Sequence, residues 1–170
     1  ASSRIHVPLS YKDEIVDTIG NALTSGFFER TESGECTVVY RYCGDDELCL
    51  SSVRSYGCGG HIEARELVWN RVVTSVEESG FESSQLETIS LPSTVRKIGR
   101  NAFKKCQELL EVDIPSGVRE IGASAYSGCC KVERIVFSPY STLSVISDDV
   151  FSYCTNIKIV SIPDSLRRIG

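Results

Sequence analysis

The sequence predicts an α/β repeat solenoid of short parallel strands and short helices, preceded by a small disulfide-stapled α+β cap. Three observations predict this class: a segment that recurs every 23 to 25 residues in the second half, eight cysteines, and a hydrophobic fraction of 41% in 170 residues. That fraction is enough to build a packed core. No apolar run approaches the roughly 20 residues that a spanning helix needs, so we expect no membrane span.

The capping region, residues 1–72, begins with a predicted amphipathic helix. Ser10 is a favourable N-cap, acidic residues fill the first turn, and Ile15, Ile19 and Leu23 recur every four residues. Three predicted strands follow, bounded by glycine-rich turns, at 37–42, 48–50 and 66–69. We expect the region to cover the apolar end of the solenoid, because a terminal repeat cannot leave its core face in water.

Four cysteines of this region are candidate disulfide partners: Cys36, Cys43, Cys49 and Cys58. An even number of cysteines in a short chain is typical of an oxidising compartment. Two local bridges are expected, and the three possible pairings stay open. A zinc site that adds His61 is the alternative, but the spacings contain no Cys-x-x-Cys and match no common finger.

The repeats occupy residues 73–170. Their first half follows the pattern Ile-x-Leu-Pro-x-x-Val-Arg-x-Ile-Gly, with clear copies starting at Ile89, Val112 and Val160. A copy starting at Val136 is two residues longer, which an insertion in a surface turn explains. A degenerate copy with serine in place of cysteine, at Ser84, precedes them. Gly99 and Gly122 are expected to let the chain reverse direction without a Cβ penalty.

The second half of each repeat places an aromatic residue, a cysteine and an aliphatic residue three positions apart. This spacing predicts one face of a short helix, buried in the core. The buried thiols are expected to act as small hydrophobes, with a bridge at Cys129 or Cys130 as the alternative. The predicted repeat core consists of Phe103, Cys106, Leu109, Tyr126, Cys129, Val132, Phe151, Cys154 and Ile157.

This pattern resembles the BspA-like leucine-rich repeat family, whose unit runs roughly I-x-L-P-x-x-L-x-x-I-G-x-x-A-F-x-x-C-x-x-L. The resemblance covers residues 73–170 and not 1–72. It implies a leucine-rich-repeat fold and a secreted or cell-surface location. It also implies a function in adhesion or protein contact. We expect the partner to be another protein, a second copy of the chain or a glycan.

The charge distribution indicates where contact would occur. A net charge of −5 argues against nucleic acid as a partner. Residues 1–88 hold 7 Lys and Arg against 15 Asp and Glu, and residues 89–170 hold 11 against 8, so the halves differ in sign. Arginine recurs at one slot of three repeats, which predicts a basic column on the surface; a solvated face without a partner is the alternative. The candidate contact residues are Arg96, Lys97, Arg119, Arg167 and Arg168.

No catalytic residue, metal ligand or cofactor site is predicted. The chain has two histidines, His6 and His61, and contains neither a G-x-S-x-G elbow nor an H-E-x-x-H helix. We therefore expect a protein that is not an enzyme.

The two ends carry their own expectations. The sequence opens at Ala1 and has no methionine, which suits a processed chain or a fragment. It stops at Gly170, halfway through a repeat, so further repeats are expected to follow or another molecule to cover that end. One such arrangement is a head-to-tail filament, in which the basic C-terminal repeat docks on the acidic N-terminal region of the next copy.

Overall fold

A computed structural model describes residues 26–30, 37–43, 47–54, 60–68 and 71–170. The described residues form strands and turns, and no helix occurs among them. The strands are β1 (Gly26–Arg30), β2 (Thr37–Tyr42), β3 (Glu47–Arg54), β4 (His61–Glu63), β5 (Leu67–Val68), β6 (Arg71–Val76), β7 (Thr88–Ser90), β8 (Lys97–Ile98), β9 (Glu111–Ile114), β10 (Glu120–Ile121), β11 (Arg134–Phe137), β12 (Val145–Ile146), β13 (Ile159–Ser161) and β14 (Arg168–Ile169).

Each repeat contributes one strand to each of two parallel rows. Row one contains β4, β7, β9, β11 and β13, and the bond from Leu110 N to Glu87 O (2.8 Å) joins its first two strands to the last three. Row two contains β6, β8, β10, β12 and β14. The predicted parallel solenoid is therefore confirmed.

The core lies between the two rows. Apolar side chains of equivalent repeat positions stack in columns because successive coils lie one strand spacing apart, about 4.8 Å. Row one buries Ile62, Ile89, Val112 and Ile135, and row two buries Val76, Ile98, Ile121 and Ile146.

The capping region differs from the prediction. Strands β1, β2 and β3 form an antiparallel meander, and β3 then pairs in parallel with β6, so the meander extends row two. Its residues Val38, Tyr40, Leu48 and Leu50 belong to the same core as the repeats. A shared sheet and a shared core hold this part of the chain to the solenoid.

The structure gives no support for a disulfide staple. Cys43 and Cys49 are free thiols, and Cys36 and Cys58 lie outside the described residues. The predicted helix at 11–23 lies outside them as well. The predicted strands at 37–42 and 48–50 are present, and the one at 66–69 is seen as the two-residue β5.

The short helix predicted in each repeat is wrong. In the second coil, the N–H groups of Asn101, Phe103 and Lys105 donate to carbonyls of the following coil, at 2.7–3.1 Å. The intervening residues donate three positions back, as Ala102 does to Gly99 O. Asn101 and Lys105 have φ of 53° and 59°, which no right-handed helix contains. The aromatic, cysteine and aliphatic residues are thus three positions apart because they lie on successive turns. Alternate N–H groups of these turns bond to the next coil.

The repeat glycines serve a different purpose from the expected one. Neither Gly99 nor Gly122 has a positive φ. A Cβ at Gly99 would lie 2.5 Å from Glu78 N, and one at Gly122 would lie 2.5 Å from Arg100 N. Glycine is required because the backbone of the neighbouring coil passes too close for a side chain.

Two side-chain ladders run along the core beneath these turns. Rings stack from Phe81 through Phe103 and Tyr126 to Phe151, with centroids 5.0–5.7 Å apart and interplanar angles of 7–18°. Beside them, each repeat thiol donates to the carbonyl of the aromatic residue in the preceding coil. The bonds are Cys106 to Phe81 O (3.0 Å), Cys129 to Phe103 O (3.1 Å) and Cys154 to Tyr126 O (3.2 Å). The repeat cysteines therefore link successive coils by hydrogen bonds, in addition to packing as small hydrophobic residues.

Candidate contact surface

The candidate contact residues lie on the outer side of row two. Arg96, Arg119 and Arg167 immediately precede β8, β10 and β14, and main-chain bonds fix their register: Arg119 N donates to Arg96 O and Arg167 N to Ser144 O, both at 2.8 Å. Lys97 and Arg168 occupy the next position of their coils. We call these five residues, Arg96, Lys97, Arg119, Arg167 and Arg168, the basic strip. All five are exposed.

The arginines of the basic strip have no carboxylate partner among the residues that the structure describes. The Arg96 guanidinium donates to the main-chain carbonyl of Ser93, with Nη1 2.8 Å from the oxygen. Lys97 is paired with Glu120, its Nζ 2.9 Å from Oε1. Ser144 takes the arginine slot of the fourth coil, so the column has one interruption.

The outer side of row one differs from the basic strip because several of its charges form ion pairs. Three ion pairs join neighbouring coils there: Glu108 with Lys131 (2.5 Å), Glu111 with Arg134 (3.9 Å) and Glu133 with Lys158 (2.7 Å). The bond with Lys158 lowers the pKa of Glu133 below its ordinary value. Row one therefore pairs three of its carboxylates with cations of the next coil, whereas the arginines of the basic strip are open to an external anion.

These pairs are the feature that the repeat alignment could have revealed. Glu108 and Lys131 occupy equivalent positions of successive coils, as do Glu111 and Arg134. Equivalent positions lie about 4.8 Å apart, so opposite charges there are in contact range.

The aromatic residues and cysteines of the predicted core form the two ladders, and Leu109, Val132 and Ile157 belong to the core outside them. Six of the nine are buried, and those of the last full coil, Phe151, Cys154 and Ile157, are partly buried against the core. Cys106 is also bonded to Ser84, whose Oγ lies 3.2 Å from its Sγ. The serine of the degenerate repeat thus continues the column of thiols. Cys130 is exposed, and its thiol donates to Gly128 O (3.3 Å).

Neither a metal site nor a membrane-crossing helix is found in the described part of the chain. No three of its His, Cys, Asp and Glu side chains are arranged to hold a metal ion. The search for a long apolar helix, over those same residues, found none.

The family model for the BspA type leucine-rich repeat region matches residues 62–170 in 6 copies. The chain belongs to this family. The family predicted from the repeat pattern is thereby confirmed, and the division into a cap at 1–72 and repeats at 73–170 stays a prediction.

Solved structures show the same fold for this BspA-type chain. A T. pallidum leucine-rich repeat protein is 28% identical, with a TM-score of 0.67 over 88% of this chain and 64% of that one. The pneumococcal vaccine antigen PcpA is 19% identical, with a TM-score of 0.58 over 86% and 46%. A leucine-rich cell surface protein of Faecalibacterium prausnitzii is 21% identical, with a TM-score of 0.50 over 79% and 39%. This chain therefore spans less than two thirds of each of these proteins. No curated protein matches the sequence.

Proposed function

We propose that this chain is a non-enzymatic interaction module of the cell surface or extracellular space that binds an acidic protein partner through the basic strip. The observation that carries the proposal is the set of four exposed arginines with no carboxylate partner among the described residues, whereas three ion pairs join neighbouring coils along row one. Membership of the BspA type repeat family supports a role in protein contact.

The geometry of the strip suits an extended acidic segment. Arg96 and Arg119 are one coil apart and Arg119 and Arg167 are two coils apart, so the guanidinium groups follow the solenoid axis at intervals of about 5 and 10 Å. Guanidinium groups bind carboxylates through two parallel hydrogen bonds, which favours acidic side chains over a diffuse charge. An acidic glycan offers the same carboxylates and is the second ligand to be compared.

The first prediction concerns this strip. Replacing Arg96, Arg119 and Arg167 together with serine is expected to lower the affinity for immobilised poly-glutamate at low salt by about 100-fold, because three unpaired cations are lost. The matched control replaces Arg100, Lys104 and Lys105 with serine. It removes the same charge from the turns between the rows and is expected to change affinity less than about threefold.

Two outcomes would contradict the proposal. Equal losses in both variants would show that binding depends only on net charge. Unchanged binding of the strip variant at low salt would show that the arginines are a solvated face. Repeating the measurement with poly-galacturonate in place of poly-glutamate compares the glycan with the acidic peptide.

A second candidate function is assembly into head-to-tail filaments. The observation that favours it is the apolar end face of the last coil, where Val160, Ile162 and Ile169 are 48%, 55% and 60% exposed. These side chains continue core columns that are buried in the preceding coils. A second copy, or a further repeat of a longer chain, would bury them.

The second prediction tests assembly of this chain through its last coil. If copies associate through this face, Val160→Lys combined with Ile162→Lys is expected to abolish concentration-dependent light scattering at low salt. The control is Leu110→Lys combined with Tyr140→Lys, which places the same charge at exposed apolar residues on row one and its adjoining turn. A wild-type chain that stays monomeric at high concentration and low salt removes the filament from consideration.

A further inference from the structure

The junction between the meander and the repeats contains two thiols that no ladder uses. Cys43 follows β2 and is exposed, and its N–H donates to Glu47 O at 3.2 Å. Cys49 lies in β3 opposite Arg41 and is 2% exposed. The two cysteines are therefore diagonal neighbours on an antiparallel pair, one accessible and one covered.

The side chain of Cys43 folds across β3 toward Cys49. Its Sγ lies 3.6 Å from the Oγ of Ser75, and Ser75 is the residue of β6 that pairs with Cys49. Burial raises the pKa of Cys49 above its ordinary value, and hydrogen bonds to Glu77 and to the Cys43 thiol raise it further. Paired residues of neighbouring strands face the same side of a sheet, so the Cys43 sulfur, next to Ser75, lies close to the position of Cys49.

The Glu77 carboxylate contacts the buried thiol of Cys49. The Sγ of Cys49 is 3.2 Å from Oε1 of Glu77 and 3.4 Å from the carbonyl of Arg41. The other carboxylate oxygen accepts the hydroxyl of Ser51 at 2.5 Å. Glu77 is therefore held in position to accept the proton of the Cys49 thiol.

We propose that Cys43 and Cys49 form a dithiol–disulfide couple that is oxidised by exchange with a small organic disulfide. The Cys43 thiolate attacks one sulfur of the compound RSSR, which forms a mixed disulfide and releases RS⁻. Cys49 then transfers its proton to Glu77 and attacks the Cys43 sulfur. The Cys43–Cys49 bond forms as the second RS⁻ leaves, and Glu77 releases its proton to solvent. The protein thus loses two hydrogens, and the two RS⁻ are protonated to two RSH.

The order of the two steps follows from access. Cys43 is the thiol that a soluble disulfide can reach, and Cys49 can react only with a sulfur already brought to Cys43. Cys130 is an internal comparison, because it is exposed while the cysteine next to it, Cys129, is bonded to Phe103 O in the core. Cys130 should stop at the mixed disulfide.

Oxidised glutathione is the probe for this proposal. The reduced chain is incubated with it under native conditions, and intact and peptide mass spectrometry follow each cysteine with time. We expect glutathione to be retained at Cys130, and to appear at Cys43 and then disappear as the Cys43–Cys49 disulfide forms. Repeating the experiment with Cys36→Ser/Cys58→Ser tells this route from exchange through those two cysteines.

Three variants separate the steps. Cys49→Ser is expected to retain glutathione on Cys43, and Cys43→Ser to leave Cys49 unmodified. Glu77→Gln is expected to slow the second step about 100-fold, in the range of a positioned general base, with the first step changed less than twofold. A wild-type chain that keeps glutathione on Cys43, or that pairs Cys43 with another cysteine, overturns the proposal.

Discussion

Glycines at one repeated position are set by the approach of the neighbouring coil. Gly99 and Gly122 have ordinary φ, yet a Cβ at either would collide with main-chain atoms, which cannot move as a flexible side chain can. Gly128 is the opposite case: it has φ of 78°, and the atoms nearest its added Cβ lie 3.4 Å or more away. Gly122 and Gly128 belong to one repeat, but close approach of the neighbouring coil requires glycine at the first and a positive φ favours it at the second.

The third prediction follows from this contrast. Gly122→Ala is expected to lower the free energy of unfolding by about 2–3 kcal/mol, since the backbone of the preceding coil must shift. Gly128→Asn is the control and is expected to cost less than about 1 kcal/mol, because asparagine tolerates the left-handed region. Urea unfolding followed by circular dichroism gives both values. Equal losses would refute the close-approach explanation.

At the scale of the repeat, two ladders of side chains connect successive coils. The ring stack and the column of thiols each run from coil to coil. The thiols give a second hydrogen bond to carbonyls that already accept a main-chain N–H of their own coil, as Phe103 O does from Cys106 N at 3.2 Å. Tyr126 is the one phenol in the stack and is 2% exposed. Burial, followed by the nearby thiols of Cys129 and Cys106, raises its pKa well above the ordinary value of 10.0.

The fourth prediction uses this phenol as a pH probe. A folded-state pKa above the unfolded one gives stability that is complete below pH 10 and is lost as the pH rises toward the folded value. We expect wild type to lose about 1.4 kcal/mol per pH unit above pH 10 relative to Tyr126→Phe. At pH 7 the two should differ by less than about 1.5 kcal/mol. The control, Tyr153→Phe at an exposed position, should follow wild type, and a Tyr126→Phe curve parallel to wild type would contradict the prediction.

The described residues share one core that runs from the meander to the last coils, so we expect each coil to be stabilised mainly by the coils next to it. Each coil contacts its neighbours, and a local loss is felt most by adjacent coils. Leu48 in β3 and Leu143 in the fourth coil are both fully buried and lie near opposite ends of this core.

The fifth prediction compares these two leucines. Leu48→Ala and Leu143→Ala are each expected to cost about 2–5 kcal/mol. Native-state hydrogen exchange should show the larger loss of protection in β6 for Leu48→Ala and in β11 for Leu143→Ala. Uniform loss along the chain in both variants would show instead that the core unfolds as one cooperative unit.

Part of the candidate contact surface could be predicted from the sequence. The arginine slot repeats with the solenoid period, so its alignment on one side of row two follows from the pattern alone. The ion pairs of row one were not predicted, although Glu108 and Lys131, like Glu111 and Arg134, occupy equivalent repeat positions. Cys43 and Cys49 became neighbours through the antiparallel pairing of β2 with β3, which the sequence did not predict.

The sequence by itself determined the family, the period and the buried positions of the repeat, because a column of equivalent residues needs matching side chains in every coil. Only the tertiary structure decided what the backbone does between the strands. A spacing of three suits a helix and a series of turns equally, and the choice depends on whether the N–H groups bond within the coil or to the next one. In this chain alternate N–H groups bond to the next coil, and the solenoid is built of strands and turns throughout the repeats.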